Sequence, residues 1–386
     1  MRLAIVSHKI CWQSQDSPSG YVTDGGFPLQ MEAISELFTE TYLVVPYESA
    51  PASDGASPLT GKNLKVVTLS LLQGNGLKRK ISLLPWLLKN SAIIWREIRR
   101  ADAVHTPIPG DVGTIGMLFA MLLRKPLFVR YCGNWLVQKT TAERFWRWLM
   151  EKFAGGRNVM LATGGAAESP SRLNPNIKWI FSTSLRERDF ENLVSKKFPA
   201  NGKLKLVIAC RQEANKGTEV VINSLPLILL EKSDVTLDII GSGSLIPKLK
   251  EQVKRLNLEE KVFFHGKVEH GKVVKLMKQA DVFCYPTSAS EGFPKVVLEA
   301  LASGLPVITT RVSVLPELIK SECGILLDEV SPEALAEAVI KLISDKSFFE
   351  QLSANAIKKA SRFSLETWRD LIGENLRESW KVSSLS

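Results

Sequence analysis

Hydrophobic residues in this chain occur in short runs that alternate with longer, helix-like stretches. In the first half, short apolar and β-branched runs predict strands at 3–6, 41–45, 64–69, 103–105 and 127–130. Helical patterns lie near 28–38, 86–100 and 112–124. The second half repeats the alternation, with strands predicted at 204–209, 236–240, 262–264, 282–285, 307–310 and 324–327. Because such alternation is typical of β-α-β units, we predict two doubly wound parallel-sheet domains in tandem.

A polar stretch between the two halves indicates a domain boundary. Residues 196–203 are rich in lysine and include Pro199 and Gly202, which is typical of a linker. We therefore predict a first domain at 1–197, a second at 198–362 and a closing helix at 363–386. Ligands of such sheets bind at the carboxyl ends of the strands, so functional residues are expected in the strand-to-helix loops, facing a cleft between the domains.

Charge and composition narrow the class of protein. The chain has 386 residues, 45% of them hydrophobic, with 50 Lys plus Arg against 40 Asp plus Glu, a formal net charge of +10. This length and apolar content exclude a disordered tail or a disulfide mini-protein. The positive charge favours anionic partners such as phosphates or acidic lipid. Nucleic acid is not an expected partner, because the sequence contains no zinc finger, recognition-helix motif, RNP pattern or Walker A loop.

The cysteines and the apolar runs predict the cellular compartment of the protein. Five cysteines, with no C-x-x-C pair, argue against a disulfide framework and against a zinc site. The apolar run at 3–6 is too short for a signal peptide, and the run at 112–123 is shorter than the ~20 residues of a spanning helix. We expect a cytoplasmic protein without a transmembrane helix.

The segment 280–308 carries the most chemical information and reads as strand, loop, helix, turn and strand. Pro294 suits the first turn of a helix. The amides from Lys295 to Val297 are then expected to be unpaired and, with the helix dipole, to form an anion site. Glu291 lies in the loop and Glu299 more than a turn inside the helix; if the whole span were helical, the two would be ~12 Å apart along the axis. Taken alone, two glutamates at this spacing favour the interpretation as ordinary surface helix acids.

This segment resembles glycosyltransferase family 4, the group 1 retaining glycosyltransferases of the GT-B fold. The family's E-x7-E signature matches Glu291 and Glu299 within E-G-F-P-x-x-x-L-E-A. The resemblance implies two Rossmann-like domains facing a cleft, an acceptor-binding domain at 1–197 and a nucleotide-sugar-binding domain at 198–362, with the last helix crossing back onto the first domain. It implies that Glu291 lies by the donor sugar and that Glu299 binds the ribose. The other donor-binding residues that it implies here are Gly292, Phe293, Pro294, Lys295 and Val296.

Two cations follow the first strand of the second half. Cys210-Arg211 and Lys216-Gly217 resemble the family's G-R and K-G elements, although cysteine replaces the glycine. Fixed cations stabilise charge that builds on a leaving diphosphate, so Arg211, Lys216 and Glu291 are the expected catalytic residues. A solvated surface Arg and Lys is the alternative. Gly241, in a G-x-G turn after the next strand, is expected to contact the donor.

The first domain contains less specific candidates for donor and acceptor binding. Gly25 and Gly26 precede a helix beginning near Pro28 and resemble the family's Gly-Gly loop, where backbone approaches phosphate closely; a plain flexible loop is the alternative. The family's usual histidine is absent from 129–135. The candidates for the acceptor or sugar side are therefore His105, Asp111 and Asn134. His105 is equally consistent with a structural histidine.

Two basic stretches that contain tryptophan, 76–100 and 143–153, match helices that lie on an anionic membrane surface; ordinary surface helices are the alternative. Together with the resemblance, they predict a peripheral enzyme at the inner face of the cytoplasmic membrane.

The predicted reaction is transfer of a sugar, with retention, from a UDP- or GDP-linked donor to a lipid-linked or saccharide hydroxyl, in cell-surface polysaccharide or glycolipid synthesis. No D-x-D pair occurs, and no metal and no cofactor besides the nucleotide-sugar co-substrate are expected. The alternatives are a catalytically silent sugar-nucleotide-binding or membrane scaffold and a nucleotide-sugar 2-epimerase on the same fold.

Overall fold

The chain folds into two compact units. The computed structural model describes residues 1–52, 55–72, 74, 76–138, 140–166, 168–191, 193–199, 202–320 and 322–385. The first compact unit, called the N-terminal unit here, comprises Met1–Phe181 and Leu365–Ser386. The second, called the C-terminal unit, comprises Ser182–Ser364.

Strands and helices alternate along most of the described chain. The strands are β1 (Arg2–Val6), β2 (Trp12–Gln13), β3 (Tyr21–Asp24), β4 (Glu40–Pro46), β5 (Ala56–Pro58), β6 (Leu64–Leu69), β7 (Ala103–Ile108), β8 (Leu127–Tyr131), β9 (Asn158–Thr163), β10 (Ile177–Ile180), β11 (Lys203–Ala209), β12 (Asp234–Ile240), β13 (Val262–Gly266), β14 (Val282–Tyr285), β15 (Val307–Thr310) and β16 (Gly324–Leu327). The helices are α1 (Phe27–Ser35), α2 (Gly76–Arg100), α3 (Asp111–Leu122), α4 (Thr141–Phe153), α5 (Thr218–Glu231), α6 (Ile246–Arg255), α7 (His270–Gln279), α8 (Lys295–Ala302), α9 (Leu315–Ile319), α10 (Pro332–Ser344), α11 (Lys346–Ala360) and α12 (Leu365–Trp380), with a 3-10 turn at Glu187–Phe190.

The N-terminal unit is built on a parallel sheet. Its strand order is β10-β9-β8-β7-β1-β4-β6, and each neighbouring pair is parallel. A small antiparallel sheet, β2-β3-β5, lies in the same unit. Helix α12 packs beside α1, where Trp368 and Ile372 share a core with Met31 and Ile34. The last helix of the chain is thus part of the N-terminal unit.

The C-terminal unit contains a second parallel sheet, with the order β13-β12-β11-β14-β15-β16. Both faces of β11 are buried, because Leu206 and Ile208 belong to one core cluster while Val207 belongs to the other. This two-sided burial explains the continuous apolar run in the sequence. The two doubly wound parallel sheets confirm the predicted architecture.

The structure divides the chain earlier than the predicted boundary at 197. The division falls between Phe181 and Ser182. The polar segment that resembles a linker is packed onto the C-terminal unit instead: Phe198 packs against a core cluster of that unit, and the Lys196 amide donates to Ser353 Oγ over 2.7 Å. The polar composition of 196–203 did not reveal this, because the segment is anchored by backbone hydrogen bonds and a few apolar side chains.

Candidate active site

The expected donor-site residues of the C-terminal unit follow two neighbouring strands. Strands β11 and β14 pair directly, yet the chain continues from β11 to β12 on one side and from β14 to β15 on the other. This is a topological switch point, where open parallel sheets bind ligands. Residues 210–217 follow β11 and residues 286–294 follow β14. The structure therefore brings Arg211, Lys216 and Glu291 to one edge of the sheet.

Lys216 and Glu291 form an ion pair at this edge. Lys216 is 7% exposed, and the Glu291 carboxylate also accepts a hydrogen bond from the Tyr285 hydroxyl over 3.3 Å. Ser313 Oγ donates to the backbone carbonyl of Glu291. Burial lowers the pKa of Lys216. The pair therefore places one cation and one carboxylate in fixed positions beside the switch point.

Backbone hydrogen bonds connect the two loops. The carbonyl of Asn215 accepts from the Ser288 amide over 3.0 Å, from the Ala289 amide over 3.1 Å and from Thr287 Oγ1 over 2.9 Å. A residue adjacent to Lys216 is thus bound to the loop that carries Glu291. Arg211, by contrast, is exposed at the start of its loop.

Gly217 allows this close approach. It has φ +88° and precedes α5, and a Cβ at this position would lie 2.4 Å from the Pro286 carbonyl oxygen. We expect Gly217→Ala to destabilise the protein by about 1–3 kcal/mol and to displace Lys216. Thermal denaturation and nucleotide titration check this. Gly202→Ala is the control, because Gly202 also has positive φ, +76°, but has open space around it; equal losses in the two variants would contradict the close-approach argument.

Gly241 serves the packing of the neighbouring loop. A Cβ there would lie 1.9 Å from the Cys210 carbonyl oxygen. The buried Gln212 amide donates to the carbonyls of Cys210 and Ile240, both over 3.1 Å, and its Oε1 accepts from Thr218 Oγ1 over 2.7 Å. Gln212 therefore joins the loop after β11 to the end of β12, a role that the sequence analysis missed.

Helix α8 begins immediately after the Glu291 loop. Pro294 stands at its N-cap position, one residue before the predicted place in the first turn, and the side chain makes no capping hydrogen bond. The expectation of an unpaired amide is wrong for Val297, whose N–H donates to the Pro294 carbonyl over 3.0 Å. The first turn is tighter than an ideal α-helical turn, because this is an i→i+3 bond. Gly292 and Val296 lie in or beside the same turn, and the Phe293 ring lies 6.0 Å from the Phe363 ring.

Glu299, one helical turn further on, is 7% exposed. Its Oε1 accepts from Ser184 Oγ over 2.5 Å and pairs with His270 Nε2 over 2.9 Å. Burial alone raises the pKa of Glu299, but the hydrogen bonds from His270 and Ser184 outweigh it and hold that pKa below its ordinary value. The same hydrogen bond raises the pKa of His270 against the effect of burial. Glu299 is thus an oriented, ionised carboxylate and not a surface acid.

The sequence analysis missed both partners of Glu299. Ser184 is 115 residues away along the chain, and His270 is the first residue of α7. Neither has a local pattern that distinguishes it from an ordinary polar residue.

The His270–Glu299 pair predicts a pH-dependent contribution to stability. The folded-state pKa of His270 is raised above 6.5, so its contribution is complete below pH 6.5 and is lost as the pH rises through the folded value. We expect His270→Gln to lower the midpoint of thermal unfolding more at about pH 5.5 than at about pH 8.5. Thermal denaturation of both proteins at the two pH values checks this, and an equal difference at both would contradict it.

The candidates of the N-terminal unit are dispersed. Gly25 has φ +71° and Gly26 is the N-cap of α1, so the predicted helix start near Pro28 is confirmed. Asp111 begins α3 and forms an ion pair with Arg79 over 2.7 Å. Asn134 Oδ1 accepts from the amides of residues 136 and 137 over 2.9 and 3.2 Å, a turn-forming arrangement.

His105 is a core residue. It is 0% exposed, its ring stacks on Phe128 with centroids 4.1 Å apart, and burial lowers its pKa to about 3. Of the two interpretations left open by the sequence, the geometry favours the structural one.

The conserved-domain and structural comparisons agree with this geometry. The family model of the glycosyl transferases group 1 matches residues 189–360, which lie wholly within the C-terminal unit. Over residues 189–360 the chain is thus similar to the group 1 glycosyltransferases. The matched region holds the Lys216–Glu291 pair, the start of α8 and the Glu299 cluster.

Two relatives show how far the sequence similarity extends. An uncharacterized glycosyltransferase of Methanocaldococcus jannaschii is 39% identical over 144 residues, which are 37% of this chain and 36% of that protein. The phosphatidyl-myo-inositol mannosyltransferase of Mycobacterium leprae is 29% identical over 169 residues, 43% of this chain and 44% of that protein. The chain thus matches less than half of the length of these relatives.

Solved structures resemble the chain over nearly its whole length. HepE of Anabaena, in complex with UDP-glucose, has a TM-score of 0.71 at 18% identity and covers 98% of this chain and 100% of its own. Sucrose-phosphate synthase of Thermosynechococcus elongatus has a TM-score of 0.71 at 16% identity, with 99% and 100% covered. These likenesses support the GT-B fold, with the group 1 domain as its C-terminal unit.

Proposed function

We propose that this chain transfers a glycosyl group, with retention of configuration, from a nucleotide-diphosphate sugar to a hydroxyl of a lipid-linked or saccharide acceptor. The observation that carries the proposal is the ion pair between the buried Lys216 and the half-buried Glu291 at the switch point, with the oriented carboxylate of Glu299 in the following helix. These three groups match the three parts of a donor, which are its diphosphate, its sugar and its ribose.

Each of the proposed catalytic residues has its own role in the reaction. Cleavage of the bond between the anomeric carbon and the phosphate oxygen leaves negative charge on the diphosphate, and Lys216 and Arg211 stabilise it. Glu291 orients the sugar. The acceptor oxygen attacks from the face that the diphosphate leaves, and its proton passes to the departing phosphate oxygen. This route needs no separate base from the protein.

The donor is proposed to be a UDP- or GDP-sugar. HepE, which shares the fold, is described in complex with UDP and with UDP-glucose, and this favours UDP as the first nucleotide to test. The name of the Mycobacterium leprae relative includes a phosphatidylinositol acceptor, which favours a lipid-linked acceptor. Fixed cations in place of a metal support a metal-independent reaction.

A donor screen tests the proposal. UDP-, GDP- and ADP-sugars are added in the presence of EDTA, and the thermal midpoint is measured, because a ligand that binds only the folded state raises it. We expect a shift with one nucleotide class. Product analysis with and without acceptor then separates transfer from 2-epimerisation, and binding without any turnover would indicate a silent scaffold instead.

The proposal includes attachment to an anionic membrane through the N-terminal unit, at the inner face of the cytoplasmic membrane. Helix α4 exposes Phe145 and Trp148, 45% and 50% exposed, and the ammonium of Lys152 lies 5.1 Å from the Trp148 ring. Helix α2 exposes Ile81, Leu84 and Leu88 at helical spacing, with 66–78% of each side chain accessible. Aromatic and aliphatic side chains beside cations suit the interface of an anionic bilayer.

Two other observations bear on the membrane. The side chains at 76–78 and 80, which include two of the lysines in the predicted basic stretch, lie outside the described residues. Among the helices that the structure describes, none combines the length and apolar character needed to cross a bilayer.

Replacing Phe145 and Trp148 together by serine should weaken binding to anionic vesicles by about tenfold or more, because both side chains would lose apolar burial. Vesicle co-sedimentation measures this. Leu230→Ser is the control, since Leu230 is 83% exposed on α5 of the C-terminal unit. Equal losses in both variants would argue against a specific surface on α4.

A further inference from the structure

Arg130 is a buried cation without a counter-charge. It is the next-to-last residue of β8 and only 3% exposed. Its Nε and Nη1 atoms have no hydrogen-bond partner, and no acidic side chain pairs with it in the described part of the chain. An unpaired charge inside a protein is strongly destabilising. The fold therefore retains at Arg130 a costly group that its own side chains do not satisfy.

The neighbours of Arg130 explain why the charge is uncompensated. In the sheet it lies in register with Pro107 of β7 and Leu161 of β9, both apolar. His105, also buried, donates from Nδ1 to the Phe128 carbonyl over 2.9 Å, and its Nε2 lacks a partner among the described residues. Burial lowers the pKa of His105 to about 3, so its ring is neutral at physiological pH. None of these groups supplies a negative charge.

Helix α12 provides a second unpaired donor at the same place. The guanidinium carbon of Arg130 lies 4.8 Å from the centre of the Trp368 ring. Trp368 is 0% exposed, and its indole Nε1 also has no hydrogen-bond partner. Stacking on an aromatic ring accounts for part of the cation's stabilisation, but it leaves Nε and Nη1 of Arg130 and Nε1 of Trp368 without a hydrogen-bond acceptor among the described residues.

The position of Arg130 is that of a ligand-binding residue. It stands at the carboxyl edge of a parallel sheet, where such sheets bind ligands. The planar guanidinium binds the two oxygens of a phosphate or carboxylate at once, and such charge-assisted bonds are the strong ones. A bound oxyanion would neutralise the positive charge of Arg130 and accept hydrogen bonds from its unpaired N–H groups.

We propose that Arg130 and Trp368 form an oxyanion site in the N-terminal unit, and that its occupant is a phosphate group. This site belongs to the N-terminal unit, whereas the proposed donor residues belong to the C-terminal unit, and the proposal goes beyond the transfer reaction. Its occupant is either free phosphate or a phosphate carried by a larger molecule such as an acceptor.

Titration of the full chain with inorganic phosphate at constant ionic strength tests the site. Because phosphate also has access to the donor cations, the response is compared in the wild type, in Arg130→Met and in an Arg211→Ala/Lys216→Ala double variant. We expect the double variant to keep a saturable rise in its thermal midpoint and Arg130→Met to lose that component, with phosphate bound about tenfold or more weakly. Arg99→Met, which changes an exposed arginine of the same unit, should respond as the wild type.

The proposal is overturned if Arg130→Met responds to phosphate as the wild type does, or if the double variant shows no response. Arg130→Lys provides a second test should the methionine variant not fold, because it keeps the charge but loses the planar fork, and it should bind phosphate more weakly than the wild type. Glycerol phosphate and diphosphate, titrated in the same way, distinguish a carried phosphate from the free ion. If the Arg130 proposal is overturned, the proposed donor site is not affected, because UDP and GDP binding test that site independently.

Discussion

Glu299→Ala should weaken the binding of UDP or GDP by about 10- to 100-fold. A charge-assisted hydrogen bond contributes about 1.5–3 kcal/mol. The Glu299 carboxylate is ionised and held in one orientation, so it can accept such a bond. Ser184 and His270 both bind Oε1, so Oε2 is the atom left to accept from the ribose hydroxyls. Isothermal titration of each nucleotide against the wild type and the variant measures the loss.

Two further variants make this result specific to the ribose. Glu317→Ala removes an exposed glutamate of the same unit and should bind nucleotide as the wild type does. Glu299→Gln keeps the shape but loses the charge, and we expect an intermediate affinity. Nucleotide affinity unchanged in Glu299→Ala, with the fold intact, would remove Glu299 from the ribose role.

Lys216→Met should lower kcat by about 10²- to 10³-fold, the usual effect of removing one fixed group that stabilises charge in the transition state. The methionine is unbranched and only one atom shorter than lysine, but it leaves the Glu291 carboxylate without its cation. Because the charge on the diphosphate develops as the sugar departs, we expect a larger effect on kcat than on KM. Steady-state kinetics, with the donor identified by the screen, separate the two.

Lys248→Met is the matched control, because Lys248 is 69% exposed in the same unit and pairs with a surface glutamate. It should leave both kinetic parameters near their wild-type values. If Lys216→Met retained the wild-type kcat, the cation at the switch point would have no part in departure of the diphosphate.

The sequence predicts the fold well because buried parallel strands are locally recognisable. The apolar run at 204–209 corresponds to β11, and Ser331 is the N-cap of α10, where its Oγ accepts from the Ala334 amide over 3.1 Å. Both features depend on residues only a few positions apart. Strand β9 was not predicted, although its six residues lie between two Gly-Gly pairs, and the four-residue strand β10 was not predicted either.

The predicted site residues show the same dependence on short-range patterns. The sequence proposes Glu291, Lys216 and Glu299 as site residues because each stands in a motif near the end of a strand or the start of a helix. Ser184 and His270 act on Glu299 only after the chain has folded, and no short-range pattern marks them. His105 shows the converse case, since a histidine in a strand looks the same whether it lines a surface or stacks in a core.

The return of α12 to the N-terminal unit affects how the protein is made. The chain leaves that unit after Phe181 and re-enters it at Leu365, so the ribosome synthesises all of the C-terminal unit before the helix that completes the first core. Until then the apolar face that receives Trp368 and Ile372 is uncovered. The C-terminal unit, which is continuous in sequence, can finish folding first. Premature termination before α12 would therefore damage the earlier-synthesised unit and leave the later one whole.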